Sequence, residues 1–108
     1  IDSFSVVKNH LGIDIQSDAN SPVLSAYQGV VLFAGYNPQE GYIVQIIHPN
    51  QYISVYKGAE MVYKKSGDIV KTGEVIALMD EQSPHGMLHF ELWNGIQSLD
   101  PTKYIVLE

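Results

Sequence analysis

The chain has 108 residues, enough for one hydrophobic core and short of the length at which chains divide into several. Apolar residues make up 45% and charged residues 17%, an ordinary globular balance that excludes a disordered chain. Six Lys and Arg against twelve Asp and Glu leave a net charge of −6, which argues against nucleic acid or an anionic membrane surface as partner.

In chain order, the pattern reads as β almost throughout. Gly29 to Ala34 (GVVLFA) is a short apolar strand between turn residues. Tyr42 to His48 (YIVQIIH) is nearly continuous in apolar and β-branched residues, so it is expected to be a central strand covered on both faces. His48-Pro49-Asn50-Gln51 reads as a tight turn into Gln51 to Tyr56, making a hairpin of 42–56. Ser66 to Met79 holds two short strands around the turn Lys71-Thr72-Gly73. Leu88 to Trp93 (LHFELW) alternates cleanly, and Asn94-Gly95 signals a tight hairpin into Ile96-Gln97-Ser98. Asp100-Pro101 ends the regular structure. The expectation is one all-β domain over 1–108, mostly antiparallel, of about eight short strands, with Val31, Phe33, Ile46, Val75, Leu88, Phe90 and Leu92 in its core.

The longest apolar runs are far too short to span a bilayer as a helix. There is no cysteine, hence no disulfide, thiolate metal site or Cys nucleophile. The chain begins at Ile1, without Met or a leader pattern, and reads as a processed or excised domain.

Two places could carry chemistry. On the 88–93 strand, alternation puts Leu88, Phe90 and Leu92 on one face and His89, Glu91 and Trp93 on the other. A solvated sheet face with an incidental histidine explains that strand equally well. In His10-Leu11-Gly12-Ile13-Asp14, an extended backbone turns positions 10, 12 and 14 the same way, with no side chain at Gly12 between them. Imidazole nitrogen and carboxylate oxygen suit zinc, but two ligands are not a site. Joined, His10, Asp14 and His89 would leave the fourth tetrahedral position open, as in a catalytic zinc. Spacing alone does not show that these segments meet. Seven tyrosines and Trp93 are a further feature, readable either as strand formers or as the lining of a groove for a peptide or glycan.

The ordered motifs supply the missing link. His10 to Asp14 matches an H-x-G-x-D element, followed by Pro22-Val23, Gly29-Val30-Val31 and Ile47-His48-Pro49-Asn50. Gly67-Asp68-Ile69-Val70-Lys71-Thr72-Gly73-Glu74-Val75-Ile76 and Leu88-His89-Phe90-Glu91 continue the series, closed by Asn94-Gly95 and Asp100-Pro101. In these the chain resembles the lysostaphin-type (LytM-like) zinc metallopeptidase domains that cleave bacterial cell-wall cross-bridges. The resemblance implies an antiparallel β domain of the duplicated-hybrid-motif type with an open groove. It implies zinc held by His10, Asp14 and His89, a groove including Tyr56, Glu91 and Trp93, and an extracytoplasmic location. His48, on the family pattern, is structural.

Two departures set the functional expectation. The family places non-ligand histidines two residues after a strand tyrosine and at the start of its HLHFE signature. Here Tyr56-Lys57-Gly58 puts Gly58 at the first position, and Met87 stands at the second. Neither side chain can move a proton or stabilise an oxyanion. His85, on the rewritten stretch Asp80 to Gly86, is the one nearby substitute. The expectation is therefore a degenerate domain that binds wall peptides or an envelope protein, against the alternative of an active zinc endopeptidase. A biotinyl-carrier-like reading of Gly67 to Ala77 fails for want of a lysine in the hairpin Leu78-Met79-Asp80-Glu81.

Overall fold

The computed structural model describes residues 6–9, 12–16, 21–79, 87–95 and 97–103, with backbone alone at 6–9, 16 and 87. The strands in chain order are β1 (Val6–Asn9), β2 (Gly12–Gln16), β3 (Pro22–Leu24), β4 (Gly29–Asn37), β5 (Gly41–Ile47) and β6 (Tyr52–Ala59). They continue with β7 (Met61–Val62), β8 (Ile69–Val70), β9 (Val75–Leu78), β10 (Met87–Asn94) and β11 (Gln97–Leu99). No α-helix occurs among the described residues; single 3₁₀ turns occupy Pro49–Gln51 and Pro101–Lys103. Among the described residues no helix is long and apolar enough to cross a membrane.

Every strand pairing among the described residues is antiparallel. The large sheet runs β1-β2-β10-β6-β5-β4-β8, with β11 added to β10, and a small sheet runs β3-β9-β7. Alternate residues of the large sheet point inward: Ile13 and Ile15, Val31, Val44 and Ile46, Tyr56, Leu88, Phe90 and Leu92. They meet Val23, Ile76 and Ala77 of the small sheet in one buried cluster. The Tyr56 and Phe90 rings are directly opposite in register and make an edge contact at 5.1 Å.

Two expected core residues lie outside this cluster. Phe33 is 47% exposed because the β4–β5 register slips between Val31 and Phe33, so residues two apart no longer share a face. Val75 is 41% exposed at the start of β9, beside the 71–73 turn, while Ile76 and Ala77 take the buried places. β5 is central, yet it is fully covered on one face only. Val44 and Ile46 are buried, whereas Ile43 and Gln45 are half-buried and Ile47 is exposed. The turn after β10 begins one residue later than Asn94-Gly95 suggests, since Asn94 still pairs with Gln97. Gly95 supplies the positive φ of +61° there.

Candidate functional site

The outer face of the large sheet gathers the chemistry-bearing side chains. Register sets His89 opposite Asp14 on β2 and Lys57 on β6, and Glu91 opposite Val55. Directly paired residues face the same way, so Asp14, His89 and Lys57 form one cross-strand row. His89 Nδ1 lies 2.7 Å from Asp14 Oδ1, and His89 Nε2 lies 2.8 Å from Glu91 Oε2.

Glu91 is the hub. It is buried, yet it accepts from three donors: His89 Nε2, Trp93 Nε1 at 2.9 Å on Oε1, and Lys57 Nζ at 3.2 Å on Oε2. Burial pushes its carboxyl up, but the hydrogen bonds from Trp93, His89 and Lys57 outweigh this and hold it below the ordinary glutamate value. Lys57 also reaches Glu40 Oε1 at 3.5 Å. The seat of Glu91 exists because of Gly12: a Cβ at that position would come within 2.3 Å of the Phe90 carbonyl oxygen and 2.9 Å of Glu91 Cγ. Gly12 adopts φ +120°, which suits glycine.

The two His89 contacts have a chemical corollary. Glu91 can only accept, so Nε2 carries a proton, and in a neutral ring Nδ1 then presents a lone pair. Asp14 Oδ1 presents another at 2.7 Å. Two lone pairs at that distance call for a cation between or beside them, either a proton on Nδ1 or a metal ion. Imidazole nitrogen and carboxylate oxygen are donors that zinc accepts. Among the described residues no group of three His, Cys, Asp or Glu is arranged to hold a metal ion. His10, expected as the third ligand, and His85, the expected substitute, lie outside the described residues.

The other site expectations sort by face. Trp93 and Glu91 stand on the outer face with His89. Tyr56 does not: it is 1% exposed, points inward against Phe90, and its hydroxyl accepts the Ala26 N–H at 2.8 Å. It is a core residue and cannot line a groove beside His89. Tyr42 and Tyr52 also pack against the core, so the outer face carries Trp93 and Phe33 where tyrosines were one reading. Gly58 is the unpaired residue of a bulge, between Lys57, which pairs with Ile43, and Ala59, which pairs with Tyr42; its φ is +101°. The Met87 backbone pairs with Gln16 at the start of β10. His48 is buried, with Nδ1 2.8 Å from the Gln28 carbonyl oxygen and Nε2 2.7 Å from Ser54 Oγ. The carbonyl fixes the proton on Nδ1, and Ser54 then donates to Nε2. Sequence reasoning missed Lys57; its register opposite His89 was the signal that would have found it.

The chain is an antiparallel two-sheet β domain that carries a His–Asp pair on the outer face of its large sheet. The sequence matches Peptidase family M23 over residues 8–101, and the chain belongs to that family. It is 36% identical over 95 residues to the peptidoglycan DD-endopeptidase ShyC of Vibrio cholerae, covering 83% of this chain and 22% of ShyC. It is 30% identical over 97 residues to the murein hydrolase activator NlpD of Escherichia coli, covering 87% of this chain and 25% of NlpD. Among solved structures, a chain of the SpoIIIAH–SpoIIQ complex superposes with a TM-score of 0.77 at 26% identity, over 93% of this chain and 78% of that one. The chain thus spans about a quarter of the length of these curated relatives.

Proposed function

We propose that this chain is a degenerate M23 domain of the bacterial cell envelope, outside the cytoplasm, that binds a wall peptide or an envelope protein and does not cleave efficiently. One observation carries the reading: nothing at positions 58 and 87 can serve as the second and third histidines of a peptidase. Gly58 has no side chain and sits in a bulge, and residue 87 is methionine. His48 is engaged among Gln28 and Ser54, away from the His89 face. The ionisable neighbours of His89 are already committed to one another, Lys57 to Glu91 and Glu40, and Glu91 to three donors.

Asp14 and His89, with His10 as third donor, are the residues that would hold zinc. The metal would supply Lewis-acid polarisation at that point. Amide hydrolysis also needs charge stabilisation at the carbonyl oxygen and a proton for the leaving amine, each worth roughly 10²–10⁴-fold. Gly58 and Met87 supply neither.

Two of these relatives support a protein partner, and one favours the alternative. NlpD is by name an activator, and the SpoIIIAH–SpoIIQ structure is a complex of two proteins. A murein hydrolase is therefore the first protein partner to test. ShyC, by name an endopeptidase, favours the alternative of an active enzyme with His85 as substitute. The purified domain, with its zinc content measured, is incubated with peptidoglycan and cross-bridge peptides, and separately with a purified murein hydrolase. Binding of either without new peptide ends is the expected result. Turnover in the ordinary enzyme range of about 1–10³ s⁻¹ overturns it.

A further inference from the structure

We infer that Glu91 is the positioning residue of this site: its buried carboxylate sets the tautomer and ring orientation of His89, so that Nδ1 faces Asp14 as the free donor atom. The inference deepens the zinc proposal and rests on it only for the identity of the cation.

Glu91 receives Trp93 Nε1 on Oε1, and His89 Nε2 together with Lys57 Nζ on Oε2. Trp93 can only donate, and so can Lys57. Both carboxylate oxygens must therefore accept, and His89 meets an oxygen that cannot offer a proton. The ring is left with Nε2–H toward Glu91 and Nδ1 toward Asp14 Oδ1 at 2.7 Å. Such outer carboxylates fix ring orientation and raise the basicity of the ligating nitrogen.

Three features show that this arrangement is built rather than incidental. Glu91 is 5% exposed on a sheet face where its neighbours Trp93 and His89 are only half-buried. Gly12, in the strand beside it, leaves no Cβ where Glu91 Cγ packs. Lys57 brings a positive charge to the oxygen that His89 uses, offsetting the cost of burying the carboxylate.

Glutamine cannot satisfy both sides of residue 91 at once, because it has one accepting oxygen and one NH₂ and both sides face donors. With its oxygen toward Trp93, the NH₂ meets His89 Nε2 and moves the ring proton to Nδ1; with the amide flipped, His89 keeps an acceptor and the NH₂ opposes Trp93 Nε1–H. Alanine leaves His89 Nε2 without this acceptor in either case and is the variant that removes the positioning group.

Two measurements test this. In Asp14→Ala protein, where residue 14 no longer influences the ring, ¹⁵N shifts of His89 are recorded without metal at a pH where the ring is neutral. The Nε2–H tautomer is expected; the Nδ1–H tautomer with Glu91 present overturns the inference. Because this needs no change at residue 91, it holds even if Glu91→Ala fails to fold. In otherwise unaltered protein, zinc affinity is measured by competition with a chromophoric chelator for wild type and E91A. A loss of about 10–100-fold is expected, and equal affinity counts against the inference. If wild type binds no zinc while the Asp14→Ala protein shows the Nε2–H tautomer, the zinc proposal fails and the positioning role stands.

Discussion

A hydrogen atom in place of a methyl group at position 12 gives Glu91 its seat, and through Glu91 it governs His89. Gly12→Ala meets two penalties together, a φ of +120° and a contact of 2.3 Å with the Phe90 carbonyl oxygen. Strain of this kind costs about 1–3 kcal/mol per residue, so the urea midpoint should fall accordingly. The same change should loosen the His89–Glu91 contact, read as broadened His89 ring resonances. At this scale the sequence was informative where period two held. Alternation along β10 correctly separated Leu88, Phe90 and Leu92 from His89, Glu91 and Trp93. What it did not show was who bonds to whom. Lys57 and Glu91 are 34 positions apart, and only the β6–β10 register makes them partners.

Strands and their irregularities decide the next level. Tyr56 on β6 accepts the Ala26 N–H just after β3, a hydrogen bond between the two sheets. Tyr56→Phe keeps the ring and orphans that donor, which should cost ~1–3 kcal/mol in equilibrium unfolding. Burial pushes the Tyr56 phenol above its ordinary value, partly opposed by hydrogen bonds with Ser54, Ala26 and Ser25. A raised folded value means the unfolded chain ionises first. Stability from this group is intact below pH 10.0 and declines as pH rises from there through the folded value. Tyr56→Phe should therefore flatten the alkaline limb of an unfolding titration. The strands themselves were largely legible from apolar runs and turn residues. The slips at Val31/Phe33 and Tyr42/Ile43 were not, because a bulge adds one residue without changing composition. That single step is what moved Phe33 to the outer face. Tyr56 misled for another reason: a tyrosine beside a family motif suggests a ligand contact, and its facing follows only from its pairing with Phe90.

The described residues form one well-filled interior, and one edge of the large sheet's outer face is exposed. Phe90, 2% exposed between the sheets, should cost about 3–5 kcal/mol when cut to alanine. Across the large sheet, Ile69, Val30, Ile47, Ile53 and Trp93 are successive cross-strand partners on the outer face, with the first three exposed. Ile69→Ala, at 77% exposure, should change stability by no more than ~0.5 kcal/mol. Chemical denaturation of the two variants side by side checks the assignment of faces. A destabilised Ile69→Ala would mean that the outer face is covered in the free protein.

The bulge at Gly58 also constrains where this chain can go by mutation. Its φ of +101° is a conformation that side-chain-bearing residues rarely adopt, and Gly41, at φ +77°, lies against it, so that a Cβ on Gly41 would come 3.3 Å from the Gly58 Cα. A histidine introduced at 58 alone would be strained before it could do any chemistry, so Gly58→His should lose stability, by about 1–3 kcal/mol in urea unfolding. A side chain at 58 is tolerated only where that cost is offset elsewhere, so the backbone between Gly41 and Ile43 acts as a filter on what residue 58 can become.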